Sequence, residues 1–261
     1  MTRAETRGAS PGAGRAPMLD VQGLTVSYGS LRALEEVSLE VAHGRVCGLV
    51  GTNGSGKSTL FKAVMGLLAP EAGTIAVDGL EGRVARGQGL LGYVPQEDAV
   101  DRDFPISVRE VVMTGRYGRM GALRRPSRAD REAVEAAMER TGITSLAGRQ
   151  IGALSGGQRK RAFVARGIAQ GARLLLLDEP FAGVDRASES AITALLRELA
   201  TEGCAILIST HDLGSLRALA DDVVLLRRRV LAAGPTARVL TTENVARAFG
   251  TDPGAGEGML R

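Results

Sequence analysis

The chain has 261 residues, 44% hydrophobic but only 3% aromatic and without tryptophan, which suits one large aliphatic-cored domain or one domain carrying an inserted lobe. With 33 basic and 29 acidic residues the net charge is only +4, an excess that fits an anionic ligand or a membrane surface and does not call for nucleic acid. Cys47, Cys204, His43 and His211 are the only residues of their kinds, which excludes a disulfide framework and a Cys/His metal cluster, and no apolar run approaches the length of a membrane span.

Residues 1–17 are rich in Arg, Gly, Ala, Ser and Pro and carry no apolar segment. They read as a disordered tail rather than a signal peptide, which predicts a cytoplasmic chain. From Met18 to Val41 short apolar runs alternate, predicting an antiparallel β-region. Tyr28 falls within it, where a flat ring either stacks on a purine or packs as any strand tyrosine does.

Arg45-Val46-Cys47-Gly48-Leu49-Val50 reads as a short buried strand. It runs into Gly51-Thr52-Asn53-Gly54-Ser55-Gly56-Lys57-Ser58-Thr59, which fits G-x-x-x-x-G-K-[ST]. Glycines in such a loop let backbone N–H groups turn inward and approach phosphate oxygens. Lys57 is placed to reach the β- and γ-phosphates, and the Ser58 hydroxyl to hold Mg²⁺. Leu60, Phe61, Val64, Leu67 and Leu68 then recur at helical spacing. Strand, glycine loop and helix together aim a helix N-terminus at an anion.

Further along, Ser107-Val108-Arg109-Glu110 and Ser127-Arg128-Ala129-Asp130 fit the capping pattern S-x-x-[DE] and predict two helix starts. Leu154-Ser155-Gly156-Gly157-Gln158 opens a third helix, with Phe163, Val164, Ile168 and Ala169 along one face. Ser155 is its natural N-cap and Gln158 takes the capping-box position. Gly156 and Gly157 leave first-turn N–H groups uncovered, which again suits an anion. One phosphate needs only one such helix, so a second implies a nucleotide held by another copy.

Arg173-Leu174-Leu175-Leu176-Leu177-Asp178-Glu179-Pro180 reads as a strand buried on both faces and ending in an acidic pair. Open α/β sheets bind ligands at that end. Asp178 can hold Mg²⁺. Glu179, one step further, can polarise a water for attack on a γ-phosphate. Ala205 to Thr210 is another buried-strand candidate, and it ends on His211, which can hydrogen-bond a γ-phosphate or serve as a structural hydrogen-bonder.

Together these pieces resemble the nucleotide-binding subunits of ATP-binding-cassette transporters, over about Leu19 to Gly250. The matching elements are the phosphate loop Gly51–Thr59, Gln96 in Tyr93-Val94-Pro95-Gln96, the signature Leu154–Gln158, the acidic strand Leu174–Glu179, Asp185 in the loop that follows, and His211. The resemblance implies an α/β fold of the P-loop NTPase type: a mixed central sheet, an antiparallel β-subdomain and an inserted helical lobe. The ATPase domain would span 18–250, with the lobe at about 97–154 and a flexible tail at 251–261. It implies ATP and Mg²⁺ as ligands, Tyr28 stacked on adenine, Glu179 as catalytic base and His211 positioning the γ-phosphate. Gln96 would sense Mg²⁺ and link the site to a membrane partner. Two copies would pair head to tail, each ATP held by the phosphate loop of one and by Ser155, Gly156, Gly157 and Gln158 of the other, with Asp185 nearby. The lobe would dock a helix from the permease, with Tyr117, Met120 and Leu123 as candidates for the socket.

Val111–Gly118, Gln150-Ile151-Gly152, Phe181–Asp185 and the stretch from Gly234 to Gly250 look like the manganese, zinc and iron importer branch. That resemblance implies a peripheral subunit on the cytoplasmic face of the membrane, with permease subunits and an extracytoplasmic metal-binding protein choosing the cargo. Another cargo, such as an iron chelate, cobalamin or an exported lipid, stays open. A DNA-repair or translation ATPase fits less well, because no sustained heptads separate loop from signature and the chain holds one cassette. Arg227-Arg228-Arg229 departs from the Asn or Gly usual in the family's late hairpin, so no tight turn is expected there.

Overall fold

The computed structural model describes residues 16–96, 105–121 and 123–250. The tail expected at 251–261 lies outside them, as do residues 1–15 of the N-terminal tail and the first eight residues of the expected lobe.

The N-terminal β-region forms as the alternation predicts. β1 (Leu19–Tyr28) and β2 (Leu31–Val41) pair antiparallel, with Tyr28 opposite Leu31 at the turn. β3 (Val46–Val50) is buried throughout and feeds the glycine loop, and α1 (Lys57–Val64) follows. α1 is shorter than its apolar spacing predicts. Gly66 takes a left-handed conformation (φ +64°), so Leu67 falls beyond the helix and stays 56% exposed. β4 (Ala72–Val77) and β5 (Leu80–Glu81) complete a four-stranded antiparallel sheet in the order β2-β1-β4-β5. α2 (Gly82–Gly87) leads to β6 (Leu91–Val94).

α3 (Val108–Thr114), α4 (Arg128–Arg140) and α5 (Gly156–Gln170) come next. Each opens on the predicted reciprocal cap, formed by Ser107 with Glu110, Ser127 with Asp130, and Ser155 with Gln158. The rest alternates strand and helix: β7 (Leu174–Asp178), α6 (Arg186–Thr201), β8 (Ala205–Thr210), α7 (Leu213–Leu219) and β9 (Asp222–Arg227). β10 (Arg229–Pro235), α8 (Thr236–Val239) and α9 (Thr242–Phe249) close the described chain.

The main sheet runs β10-β9-β3-β8-β7-β6, parallel except for the antiparallel β10. Its strands are apolar on both faces because both faces are covered. Leu175, Leu177, Ile206 and Ile208 pack on one side against α3–α7. Leu174, Leu176, Ala205 and Leu207 face the other way, onto α1 and the antiparallel sheet. Successive side chains of a strand alternate faces, so one leucine run serves two cores. Cys47 is buried, Cys204 partly so, and both are free; burial pushes both thiols up to about 12.

The expectation about the three arginines needs correction. Arg227 and Arg229 pair directly across β9 and β10, so the turn is tight. Arg228 alone makes it, in the left-handed region at φ +59°. Tertiary hydrogen bonds hold what local propensity disfavours. The Arg228 N–H donates to the Ser55 carbonyl (2.8 Å), and its own carbonyl accepts from the Glu35 N–H (2.9 Å).

Candidate nucleotide site

Parallel order brings the carboxyl ends of β3, β7 and β8 side by side. Gly51–Gly56 leaves β3 there, Asp178 ends β7, and His211 follows β8. Gly56 stands at the N-cap of α1 with φ +105°, supplies no side-chain cap, and no acid occupies the first turn. The positive end of α1 is thus left for an outside anion. A Cβ at Gly56 would lie 2.5 Å from Leu34 Cδ2 and 2.8 Å from the Ala33 carbonyl, so the loop can sit against β2 only as glycine.

Lys57 is buried, and its Nζ donates to the carbonyls of Gly51 (2.6 Å) and Thr52 (3.2 Å). Burial lowers its pKa, opposed in part by the charges of Glu179 and Asp178. The Ser58 hydroxyl donates to Asp178 Oδ2 at 3.3 Å. The other Asp178 oxygen accepts from Ser209 Oγ. Tyr93 is pushed up to about 12, first by burial and then by the charge and hydrogen bond of Asp178. Ser58 and Asp178 therefore present two hard oxygen donors side by side, a set that suits Mg²⁺ if phosphate and water complete the shell. Among the described residues no cluster of three or more His, Cys, Asp or Glu could hold a metal alone.

Glu179 lies one residue beyond β7, buried, at φ +48°. Its N–H is held by both the carbonyl and the hydroxyl of Ser209, each at 3.1 Å. Such a conformation costs about 1–3 kcal/mol and persists only where neighbours enforce it. Its Oε2 meets His211 Nδ1 at 2.9 Å, while the His211 side chain remains 67% exposed.

These groups line one cleft of about 650 Å³, together with Tyr28 at the end of β1 and Gln96 after β6. The volume lies within the range of small-molecule sites. The cleft also takes in Leu31, Arg32, Arg228 and Phe249, which the sequence reading missed. Tyr93 and Ser209, which fix Asp178 and Glu179, were missed as well. The only sequence signal for any of them was the unusual arginine triplet.

Ser155, Gly156, Gly157, Gln158 and Asp185 are not among the described residues lining the cleft. They gather elsewhere. Asp185 caps α6, accepting from the Ser188 N–H at 2.9 Å and from the Ser188 hydroxyl at 2.7 Å. A Cβ at Gly157 would lie 2.6 Å from Ser188 Cβ, so only glycine lets the tip of α5 rest on the tip of α6. Of the proposed socket residues, Tyr117 is 39% and Leu123 78% exposed, and the Arg124 guanidinium stands 5.3 Å from the Tyr117 ring centre.

Residues 34–182 match the family described as "ABC transporter". The chain is 49% identical over 236 residues to the manganese transport system ATP-binding protein MntA of Synechocystis sp. (strain PCC 6803), covering 90% of this chain and 91% of that one. It is also 49% identical over 235 residues to the chelated iron transport system membrane protein YfeB of Yersinia pestis, at 90% and 79% coverage. Among solved structures, cbiO1 of Clostridium perfringens, part of the ABC transporter complex cbiONQ, superposes with a TM-score of 0.74 at 31% identity, covering 94% of this chain and 99% of that one.

Proposed function

This chain belongs to the ABC transporter family as an ATP-binding subunit that works with membrane permease subunits, and from that premise we propose that its ATP hydrolysis drives import of a divalent transition metal, manganese first, then iron or zinc. The carrying observation is the convergence of the phosphate loop, the Asp178–Glu179 pair and His211 on one cleft. Near-half identity to manganese and chelated-iron transport proteins supports the cargo.

ATP binds with adenine against Tyr28 and its phosphates along Gly51–Thr59, where the α1 N-terminus and Lys57 offset their charge. Glu179 takes a proton from a water that attacks the γ-phosphorus, while the bond to the ADP oxygen breaks. His211 holds Glu179 and the γ-phosphate in register. Ser58 and Asp178, with Gln96 lining the same cleft, would hold Mg²⁺, whose charge would offset that of the phosphates. Because the tips of α5 and α6 stand apart from the cleft, Ser155–Gln158 and Asp185 serve the nucleotide of a second copy in a head-to-tail dimer. The exposed Tyr117 and Leu123 serve the permease at the cytoplasmic face, and an extracytoplasmic protein delivers the metal.

The test is the manganese, iron and zinc content of metal-starved cells carrying the native chain or Glu179→Gln. Selective loss of one metal is expected. Unchanged levels of all three would remove metal import while leaving the ATPase assignment intact.

A further inference from the structure

The arginine triplet is left unexplained by the reading above. Arg229 is committed, since its guanidinium pairs with Glu35 (2.6 Å) and Glu36 (3.1 Å). Arg227 is exposed and does not line the cleft. Arg228 differs from both. It lines the nucleotide cleft, and it has no carboxylate partner among the described residues. Its backbone is fixed in the left-handed region by bonds to Ser55 of the phosphate loop and to Glu35 of β2. A residue whose only task was to turn the chain would be glycine or asparagine there. An arginine accepts the strain, and what it adds is a guanidinium on the wall of a phosphate site.

We propose that Arg228 is a nucleotide-binding residue, a second cation beside Lys57 that contacts the polyphosphate of ATP or ADP in its own chain's cleft. This rests on the nucleotide reading of that cleft. The two cations differ in kind. Lys57 is a point charge on the loop floor, whereas Arg228 brings a planar fork suited to paired phosphate oxygens. The Ser55 carbonyl bond fixes the Arg228 backbone, from which that fork springs, against the loop.

Arg228→Gly makes a clean test, because it removes the guanidinium and relieves the backbone at once. Its melting temperature should equal or exceed the native value, so lost affinity cannot be ascribed to unfolding. Calorimetric titration of the full chain should show ATP and ADP binding roughly tenfold weaker, as expected for one charge-assisted contact, with adenosine binding unchanged. Arg228→Lys should recover part of the loss, and Arg227→Ser, which removes the same charge one residue away, should lose nothing. Undiminished ATP affinity in Arg228→Gly would overturn the proposal. So would an equal loss in Arg227→Ser, or a parallel loss of adenosine, which would mark a brace rather than a ligand. Native chain and Lys57→Ala are titrated alongside. If the native chain ignores ATP, or Lys57→Ala binds it unchanged, the phosphate-loop reading itself falls. Normal behaviour of both leaves Arg228 alone in question.

Discussion

Glu179 shows how a single residue is readied by its neighbours. It follows a strand that ends at Asp178, so it would ordinarily continue extended, yet Ser209 takes its N–H twice and turns it into a left-handed conformation. That turn brings its carboxylate to His211. Glu179→Gln keeps the shape and removes the proposed base, so phosphate release should fall by about 10²–10⁴-fold while ATP binding persists. Single-turnover release together with equilibrium binding would check this, and near-native turnover would exclude Glu179 as the base. The acidic pair and phosphate loop were legible in the sequence because each is contiguous. Tyr93 and Ser209 were not, because they reach Asp178 from separate strands and only the parallel order of β6, β7 and β8 brings them together.

Among the elements, α4 shows what a cap contributes. Asp130 accepts from the Ser127 N–H and hydroxyl and pairs with Arg116 at 2.9 Å. The Ser127 bonds above all, then Arg116, hold its carboxyl at about 2, against an ordinary 3.8. A carboxylate depressed in the folded state stabilises fully above its unfolded pKa and less as pH falls toward the folded one. Asp130→Asn should therefore melt a few degrees below the native chain at pH 7. The gap should narrow as pH drops from about 4 toward 2, in melts followed by circular dichroism. A gap that stays constant with pH would assign the loss to packing. Helix starts were readable from such caps, since cap chemistry is local. Two ends were not. α1 stops at Val64, just before the left-handed Gly66, despite further apolar spacing, and the β9–β10 turn forms through arginine because its bonds come from Ser55 and Glu35, far away in sequence.

For the whole molecule the telling feature is the separation of the two helix tips, α1 inside the cleft and α5 outside it. In the proposed two-fold pair each site is composite. Lys57→Ala and Ser155→Arg chains should each fail alone to form an ATP-dependent dimer. Their mixture should regain an ATP-dependent dimer with up to roughly half of the native sites, since every dimer that forms is mixed and holds one intact site of two. Gel filtration with ATP would register it, and a mixture as inert as its parts would dismiss head-to-tail sharing. The contact of Gly157 with Ser188 carries this further. Between Glu179 and the Asp185 cap lie only Pro180 to Val184, folded tightly by bonds from the Ala182 N–H to the Glu179 carbonyl and from the Val184 N–H to the Phe181 carbonyl, each at 3.2 Å. The segment is a strut, with the proposed base Glu179 at one end and, at the far end, the α6 tip on which Gly157 rests and which the proposed pair would share. Traced around the pair, cleft, strut, opposite cleft and opposite strut close into a circuit. In the proposed pair, ATP bound on one side would favour ATP on the other, and by linkage the reverse would hold equally. Two sites so joined would keep time as one, and their occupancy should climb with ATP along a sigmoid rather than a hyperbola.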